Sequence, residues 1–267
     1  MNQIQIKATY NHQDLLGVCM FNIVPVRSLP GDRNELTTQL LFGETYKILE
    51  ISDNGEWFKI RSLIDNYEGW IDFKQHSKID DHEIEHFLKG YILNECINTE
   101  NNTIVEGSIV PDYQVNKLEN LHEWVSKNKM LTQNSYSGNN FITLLKQIAD
   151  KYRYSPYLWG GKTKFGIDCS GLVQVIFRQL NILLPRDAYQ QEEMGQNIEF
   201  GEQKAGDLVF LTTKTQKVSH VGILMGEHSI LHAHGHVRED KFDATGIYNN
   251  DRLCYTHNLY SIKRVHT

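Results

Sequence analysis

Alternating apolar and polar positions predict short β-strands in the first 80 residues. Such patterns occupy residues 45–51, 57–61 and 67–71, and the turn residues Asp53–Gly55 separate the first two. The apolar stretch 17–27 predicts one further strand. Short strands at close spacing, joined by Gly and Asn turns, are typical of a small barrel.

Weaker patterns lie between residues 80 and 135. Ile84, Phe87 and Leu88 indicate a brief helix, while residues 90–93 and 103–105 indicate strands. We therefore expect a second, barrel-like module here. The polar stretch 134–140 is the expected linker to the C-terminal part of the chain.

From residue 141 onward the pattern is mixed. Helical spacing of apolar residues predicts one helix that begins at Phe141 and ends before Pro156, and a second that runs from Cys169 to 184–185. Strand patterns lie at 207–211, 220–225 and 229–233, with a tight hairpin at 226–228. This part of the chain is therefore predicted to be α+β.

Composition and charge narrow the possible partners. The 267 residues are 40% hydrophobic and 22% charged, as in ordinary globular proteins. The net charge of −6 gives no reason to expect nucleic acid or an anionic membrane as partner. No apolar run approaches membrane-span length.

The four cysteines, Cys19, Cys96, Cys169 and Cys254, show no metal-ligand or redox-pair spacing. Residues 1–7 have neither a basic leader nor an apolar core, so no secretion signal is expected. We expect a reduced, cytoplasmic protein without a metal or other cofactor, and the periplasm stays open as an alternative location.

Cys169 lies where a glycine-rich loop runs into a helix. Asp168 is a good N-cap residue, which places Cys169 in the first turn of the helix. Free backbone N–H groups and the helix dipole favour a thiolate at that position. We therefore expect a lowered thiol pKa and a nucleophile. The alternative is a small buried core residue.

Two histidines could serve that nucleophile. His220 opens one predicted strand and His232 ends the next, so antiparallel pairing could place the imidazoles side by side. His220 would then be the base and His232 the group that fixes its tautomer. A competing interpretation is a zinc site built from His232, His234 and His236 with His228 nearby, but no HExxH helix supports it.

The same residues carry a family resemblance. Residues from about 140 to 267 resemble the NlpC-type cell-wall cysteine peptidases, a papain-like family. The matching motifs, in order, are Tyr157-x-Trp159-Gly160-Gly161, Asp168-Cys169-Ser170-Gly171-Leu172, Leu184-Pro185-Arg186, Gly206-Asp207-Leu208-Val209-Phe210, Ser219-His220-Val221-Gly222-Ile223 and His232-Ala233. The resemblance implies Cys169 as nucleophile, His220 as base, His232 as its orienting residue, and backbone N–H groups near Cys169 as oxyanion donors.

The N-terminal region resembles a bacterial SH3-like barrel, through Gly43-Glu44, Gly55-x-Trp57 and Gly69-Trp70-Ile71. We therefore expect a papain-like C-terminal domain at 138–267, preceded by one or two small SH3-like β-barrels, at 1–79 and 80–135.

The whole chain is similar to the YkfC-type members of that family, which carry N-terminal SH3-like modules. Segment 33–44 and Tyr67-Glu68-Gly69-Trp70 carry this likeness. It implies that Glu35, Tyr67 and Asp168 hold the free amino group of an N-terminal L-Ala. It also implies that Ser170, Tyr157 and Trp159 shape the peptide site. Carboxylates and a phenol oxygen suit an ammonium group.

The predicted activity is that of a cysteine endopeptidase for free murein peptides, acting in cell-wall recycling. It would hydrolyse the γ-D-glutamyl–diamino acid bond, with meso-diaminopimelate or Lys in the third position, in peptides that begin with L-Ala. One alternative is a cysteine amidase or acyltransferase acting on another amide. The other is a catalytically idle module that binds wall peptides.

Overall fold

The computed structural model describes residues 2–3, 15–98, 103–112, 139–213 and 217–266. The chain divides into two compact units, Met1–Ser135 and Tyr136–Thr267. Most of the predicted linker lies outside the described residues, and its last two residues, 139 and 140, begin a helix. Within the described ranges, no helix has the length and apolar character needed to cross a membrane.

The first unit is built on a seven-stranded antiparallel sheet. Its strands are Leu15–Val18 (β2), Ile23–Arg27 (β3), Leu36–Leu41 (β4), Thr45–Ile51 (β5), Trp57–Ser62 (β6), Glu68–Asp72 (β7) and Ser77–Lys78 (β8), and Asn2–Gln3 forms a separate β1. They lie in the order β4-β3-β7-β6-β5-β2-β8. A short 3₁₀ turn, Phe73–Gln75, leads into β8.

The three alternating patterns at 45–51, 57–61 and 67–71 are confirmed as β5, β6 and β7. Strand β4 was not predicted. Its residues Thr38 and Gln39 are polar but buried, so they break the alternation that would have indicated a strand.

The prediction of a single strand over 17–27 is wrong, because the chain turns after Val18 and resumes as β3. The turn is fixed by backbone hydrogen bonds between Cys19 and the segment 43–44. The hydrophobic pattern gives no sign of this turn, because the residues on both sides of it are buried in the same core.

Short elements complete the described part of this unit. They are α1 (Asp81–Leu88), β9 (Tyr91–Ile92), β10 (Ile97–Asn98), β11 (Thr103–Ile104) and β12 (Ile109–Val110). The predicted brief helix and the strands near 90–93 and 103–105 are confirmed. A second SH3-like module stays a prediction, and residues 113–135 lie outside the described residues.

These short elements pack against the turn that precedes β5. Phe42 lies in one core cluster with Leu93, Ile104 and Val110. Gly43 is in the left-handed region, and a Cβ there would lie 1.9 Å from the carbonyl oxygen of residue 109. A side chain at this position would therefore break the contact between the turn and β12.

The second unit combines three helices with a curled sheet within the described residues. The helices are α2 (Asn139–Asp150), α3 (Cys169–Gln179) and α4 (Ala188–Glu192), and the small hairpin β13 (Lys162–Thr163) and β14 (Gly166–Ile167) precedes α3. The sheet strands are β15 (Gln196–Asn197), β16 (Leu208–Thr212), β17 (His220–Gly226), β18 (Ser229–His234), β19 (His236–Phe242), β20 (Gly246–Asn249) and β21 (Cys254–Arg264).

This sheet has the order β15-β21-β16-β17-β18-β19-β20, and β20 also pairs with β21. The last pairing joins both ends of the run from β21 to β20, so the sheet closes on itself. The predicted strands at 207–211, 220–225 and 229–233 are confirmed as β16, β17 and β18.

Helix α3 is buried along its whole length and packs on β17 and β18. The predicted end at 184–185 is wrong: α3 ends at Gln179, and Asn181 adopts a left-handed φ of 64° that cannot continue a helix. The packing of α3 on the sheet brings Cys169 to the start of β17.

Helix α2 is confirmed. Phe141, Leu145 and Ile148 on its apolar face are buried, as the helical spacing of these positions predicts. Helix α2 packs against α3, so it covers the side of α3 that does not face the sheet.

Candidate active site

The start of α3 is held by the Asp168 side chain. Its Oδ1 accepts a hydrogen bond from the Gly171 backbone N–H at 2.7 Å, and its Oδ2 accepts one from the Gly160 N–H at 2.8 Å. A Cβ on Gly171 would lie 2.3 Å from the Gly161 carbonyl oxygen, so the loop and the helix approach too closely for a side chain there. The predicted N-cap is therefore confirmed, and Cys169 is the first residue of α3.

A buried ion pair adds to this cap. Arg186 Nη1 and Nη2 donate to Asp168 Oδ1 and Oδ2 at 3.0 and 2.5 Å, and Nη1 also donates to Ser170 Oγ at 2.8 Å. All three side chains are almost fully buried. Arg186 belongs to one of the matching motifs, but its pairing across 18 residues of sequence was not predicted. Its contacts fix the two residues that flank Cys169.

Burial decides the state of the resting Cys169 thiol. Burial and then the nearby Asp168 carboxylate raise its pKa to about 12, against the opposing effects of hydrogen bonds from the Val221 and Ser170 N–H groups and of the Arg186 charge. The expectation of a lowered pKa is wrong in direction, because a position in the first turn does not outweigh desolvation. The resting residue is a thiol whose sulfur lies against the backbone of Val221.

The two predicted histidines do meet. Strands β17 and β18 pair with Gly222 opposite His232, and His220 Nε2 lies 2.8 Å from His232 Nδ1. The rings are nearly perpendicular, with centroids 5.0 Å apart. Burial, followed by the neighbouring histidines, holds the pKa of His220 well below its usual range. His220 is therefore a neutral imidazole one residue before the N–H that contacts the Cys169 sulfur.

A further carboxylate lies behind this pair. His232 Nε2 is 3.1 Å from Asp240 Oδ2, and Arg238 Nη2 donates to Asp240 Oδ1 at 2.8 Å. Burial acts to raise the pKa of Asp240, but the hydrogen bonds from His232 and Arg238 outweigh it and bring the pKa to about 2. Asp240 was not predicted, because the β19 strand that carries it was not predicted either.

Two more histidines complete an imidazole cluster. His257 of β21 stacks on His220 with centroids 4.2 Å apart, and His234 lies edge-on to His257 at 5.2 Å. Burial lowers the pKa of His257 to about 4. Among the residues that the structure describes, no group of three or more His, Cys, Asp or Glu side chains is arranged to hold a metal ion. The interpretation of the histidines in 228–236 as a zinc site therefore gains no support.

The predicted substrate residues fall into two groups. Tyr157 is half-buried, and its pKa is raised by burial and then by the nearby Cys169 and Asp168, which places it beside the nucleophile. Trp159 is 59% exposed on the same loop. Ser170 and Asp168 are buried at the start of α3. These four predicted substrate residues lie in the second unit with Cys169, and their role stays a prediction.

Glu35 and Tyr67 lie in the first unit. Strand β3 separates β4 from β7, and its last residue Arg27 pairs with Leu36 on one side and Trp70 on the other. Glu35 directly precedes β4 and Tyr67 directly precedes β7, so both lie at the same end of the sheet. Glu35 is exposed and Tyr67 is half-buried. Their role toward the Cys169 site stays a prediction.

Comparison with known proteins agrees with this geometry. Residues 154–255 match the NlpC/P60 family, and residues 26–75 match the bacterial dipeptidyl-peptidase Sh3 domain. A gamma-D-glutamyl-L-lysine dipeptidyl-peptidase of Bacillus subtilis (strain 168) is 26% identical over 85% of this chain and 77% of that protein. The murein DD-endopeptidase MepS/murein LD-carboxypeptidase of Escherichia coli (strain K12) is 44% identical over 34% of this chain and 47% of that protein.

The fold also has a solved counterpart. The crystal structure of an NlpC/P60 family protein from Bacillus cereus ATCC 10987 superimposes with a TM-score of 0.72, at 15% identity, over 94% of this chain and 100% of that one. At that identity the likeness concerns the fold alone. Residues 154–255 therefore form an NlpC/P60 domain, residues 26–75 form a bacterial SH3 domain, and the chain is a cysteine peptidase.

Proposed function

We propose that this cysteine peptidase hydrolyses the γ-D-glutamyl–diamino acid bond of free murein peptides that begin with L-Ala. The observation that carries the catalytic part is the junction of α3 and β17. There the Cys169 sulfur accepts a hydrogen bond from the Val221 N–H, and the preceding residue, His220, is hydrogen-bonded to His232. Nucleophile, base and orienting group thus follow one another in space.

The reaction follows from these roles. Cys169 Sγ attacks the γ-glutamyl carbonyl carbon while His220 takes the thiol proton, which gives a tetrahedral oxyanion. Backbone N–H groups at the start of α3 have no partner inside the helix and are suited to stabilise that oxyanion. His220 then donates the proton to the departing amine of the diamino acid. Water, deprotonated by His220, releases L-Ala-D-Glu from the thioester.

The choice of bond rests on a relative whose similarity spans both units. That relative is a gamma-D-glutamyl-L-lysine dipeptidyl-peptidase, and the likeness extends over the SH3 domain as well as the catalytic one. An enzyme that requires a free amine acts on released fragments, which supports a role in recycling. The residues that we propose to bind the N-terminal ammonium group are Glu35, Tyr67 and Asp168, and those that line the peptide site are Tyr157, Trp159 and Ser170.

The test uses two peptides, L-Ala-γ-D-Glu-L-Lys and L-Ala-γ-D-Glu-meso-diaminopimelate, each free and N-acetylated, with products identified by mass spectrometry. We expect release of L-Ala-D-Glu from the free peptides only. Cys169→Ala should abolish release, whereas Cys254→Ala, which removes an exposed thiol of the same unit, should leave it unchanged. Equal cleavage of the acetylated peptides would contradict the proposed ammonium-binding role of Glu35, Tyr67 and Asp168. The proposed peptidase activity would still stand.

A second candidate function comes from the catalytic domain alone. Its 44% identity to the murein DD-endopeptidase MepS/murein LD-carboxypeptidase favours cleavage of other murein peptide bonds. Adding a cross-linked muropeptide and a tetrapeptide to the panel separates the two functions. Turnover of these substrates alone would favour the second candidate. Turnover of none would favour an amidase, an acyltransferase or a peptide-binding module.

A further inference from the structure

Asp240 is a buried carboxylate that accepts hydrogen bonds from three sides. Besides His232 Nε2 and Arg238 Nη2, Asn249 Nδ2 lies 3.3 Å from Asp240 Oδ2. The orientation of the Asn249 amide is set by its Oδ1, which accepts from the Arg252 backbone N–H at 2.9 Å. Asp240 is 3% exposed and His232 is fully buried. The carboxylate is therefore surrounded by donors and shielded from water.

This arrangement determines which nitrogen of each imidazole carries the proton. An ionised carboxylate only accepts hydrogen bonds, so His232 must donate from Nε2. In the neutral ring, Nδ1 of His232 is then an acceptor, and its partner at 2.8 Å, His220 Nε2, must donate to it. The remaining nitrogen of His220, Nδ1, is left with a lone pair. A general base needs such a lone pair to accept a proton.

We propose that Asp240 is a positioning residue that sets the tautomers of His232 and His220, and so keeps His220 Nδ1 free to accept the Cys169 proton. The inference rests on the proposed function in one respect, since it takes His220 as the base. It extends the catalytic set from three residues to a relay of four, ordered Cys169, His220, His232 and Asp240. Asp240 touches neither the substrate nor the reacting atoms and acts through His232.

The same relay bears on the charged intermediate. When His220 accepts the thiol proton, its positive charge lies two hydrogen bonds from the Asp240 anion, which favours the imidazolium. Among the residues that the structure describes, none of the other groups that act on the two rings is an anion in the resting state, so Asp240 supplies the negative charge nearest to the histidine pair. These other groups are Cys169 of α3, His234 of β18, His236 and Arg238 of β19, and His257 of β21.

The variant that tests this role is Asp240→Asn, which keeps the shape of the side chain and removes its negative charge. The cationic Arg238 holds the one remaining oxygen, because charge-assisted hydrogen bonds are the stronger ones. The new NH₂ group then faces His232 and reverses both tautomers. We expect kcat to fall about 10- to 100-fold, the scale of losing a carboxylate behind a metal-bound histidine, with KM changed much less because Asp240 does not touch the substrate. In the pH profile of kcat, the acid limb should move to lower pH. Loss of the Asp240 negative charge makes protonation of the His220 and His232 rings less favourable.

Long-range ¹H–¹⁵N NMR of the histidine side chains reads the tautomers directly. The wild-type protein should show His232 protonated at Nε2 and His220 protonated at Nε2, and Asp240→Asn should change both. An Nδ1-protonated His232 in the wild type would overturn the inference. So would a folded Asp240→Asn protein with unchanged kcat and acid limb. The wild-type spectrum decides the matter even if the variant fails to fold.

Asp207→Asn is the matched control. Asp207 is also fully buried in the second unit, and Arg264 donates to both of its oxygens at 2.7 Å. Within the described part of the chain, its hydrogen-bond partners include none of the four relay residues. We expect this variant to lose stability as Asp240→Asn does, but without a change in the histidine tautomers or in the acid limb. If the wild type cleaves no murein peptide, the proposed function fails, while the tautomer measurement still tests the role of Asp240.

Discussion

Two buried carboxylates, each paired with an arginine, flank the reaction centre from opposite sides. On the cysteine side, Asp168 pairs with Arg186 and caps the helix that begins at Cys169. On the histidine side, Asp240 pairs with Arg238 and contacts the imidazole of β18. The two pairs look alike in composition, but their remaining hydrogen bonds go to different kinds of group.

The difference is that Asp168 anchors backbone N–H groups whereas Asp240 contacts an imidazole. Both oxygens of Asp168 are taken up by Arg186 and by backbone N–H groups, so this carboxylate fixes a loop and a helix start. One oxygen of Asp240 accepts from an imidazole, a group that can change its protonation state. The same residue pair therefore holds the nucleophile in place on one side and orders proton positions on the other.

The largest effect, a loss of unfolding free energy, should come from replacing the arginine of each carboxylate–arginine pair in turn. Arg186→Met leaves Asp168 buried without its counter-charge, which should cost about 3–5 kcal/mol of unfolding free energy. Arg238→Met should cost less, because Arg238 is partly exposed whereas Arg186 is buried. Urea unfolding measures the stability of the two variants, and hydrogen exchange at the β17 amides measures the local stability beside the site. An equal or reversed order would contradict the comparison.

A fall in pH should destabilise the protein through its buried histidines. His220 and His257 have folded pKa values below the unfolded value, so protons bind preferentially to the unfolded chain as the pH falls through about 6.5. Stability from these groups is therefore present above that pH and lost below it. Between pH 7.5 and 5.5 each should contribute a loss of about 1 kcal/mol. Urea unfolding at the two pH values measures this, with His257→Gln expected to reduce the loss.

The smallest effect should come from a carboxylate that is exposed. Glu35→Gln should raise KM for the free-amine peptide about tenfold, the lower end for a hydrogen bond to a charged group, and leave stability unchanged. Glu50→Gln, an exposed carboxylate on β5 of the same sheet, is the control and should have no effect. Steady-state kinetics with free and acetylated peptides measures both. An equal KM for Glu35→Gln and the wild type would remove Glu35 from the ammonium site.

Local patterns were sufficient to predict much of this site. The Asp168 cap and the start of α3 follow from residues adjacent in sequence. The contact between His220 and His232 follows from a two-strand hairpin with a short turn, since antiparallel pairing brings positions 12 residues apart together. The SH3 strands β5, β6 and β7 follow from plain alternation.

Contacts between distant segments account for the site features that were not predicted. Arg186 reaches Asp168 from 18 residues away, and Asp240 meets His232 only because β19 pairs with β18. The direction of the Cys169 pKa shift depends on how deeply its surroundings bury it, which no local motif records. Strand β4 was missed for a related reason, because tertiary packing buries polar side chains that would ordinarily indicate an exposed segment.

The central claim, that Cys169 forms an acyl-enzyme with the γ-glutamyl carbonyl, has a direct test. The enzyme is mixed with L-Ala-γ-D-Glu-L-Lys, quenched in acid within one turnover, digested and examined by mass spectrometry. We predict an L-Ala-γ-D-Glu adduct on the peptide that contains Cys169, absent when the substrate is N-acetylated and absent in Cys169→Ala. Undiminished cleavage by Cys169→Ala, or an adduct on any other residue, would contradict the account.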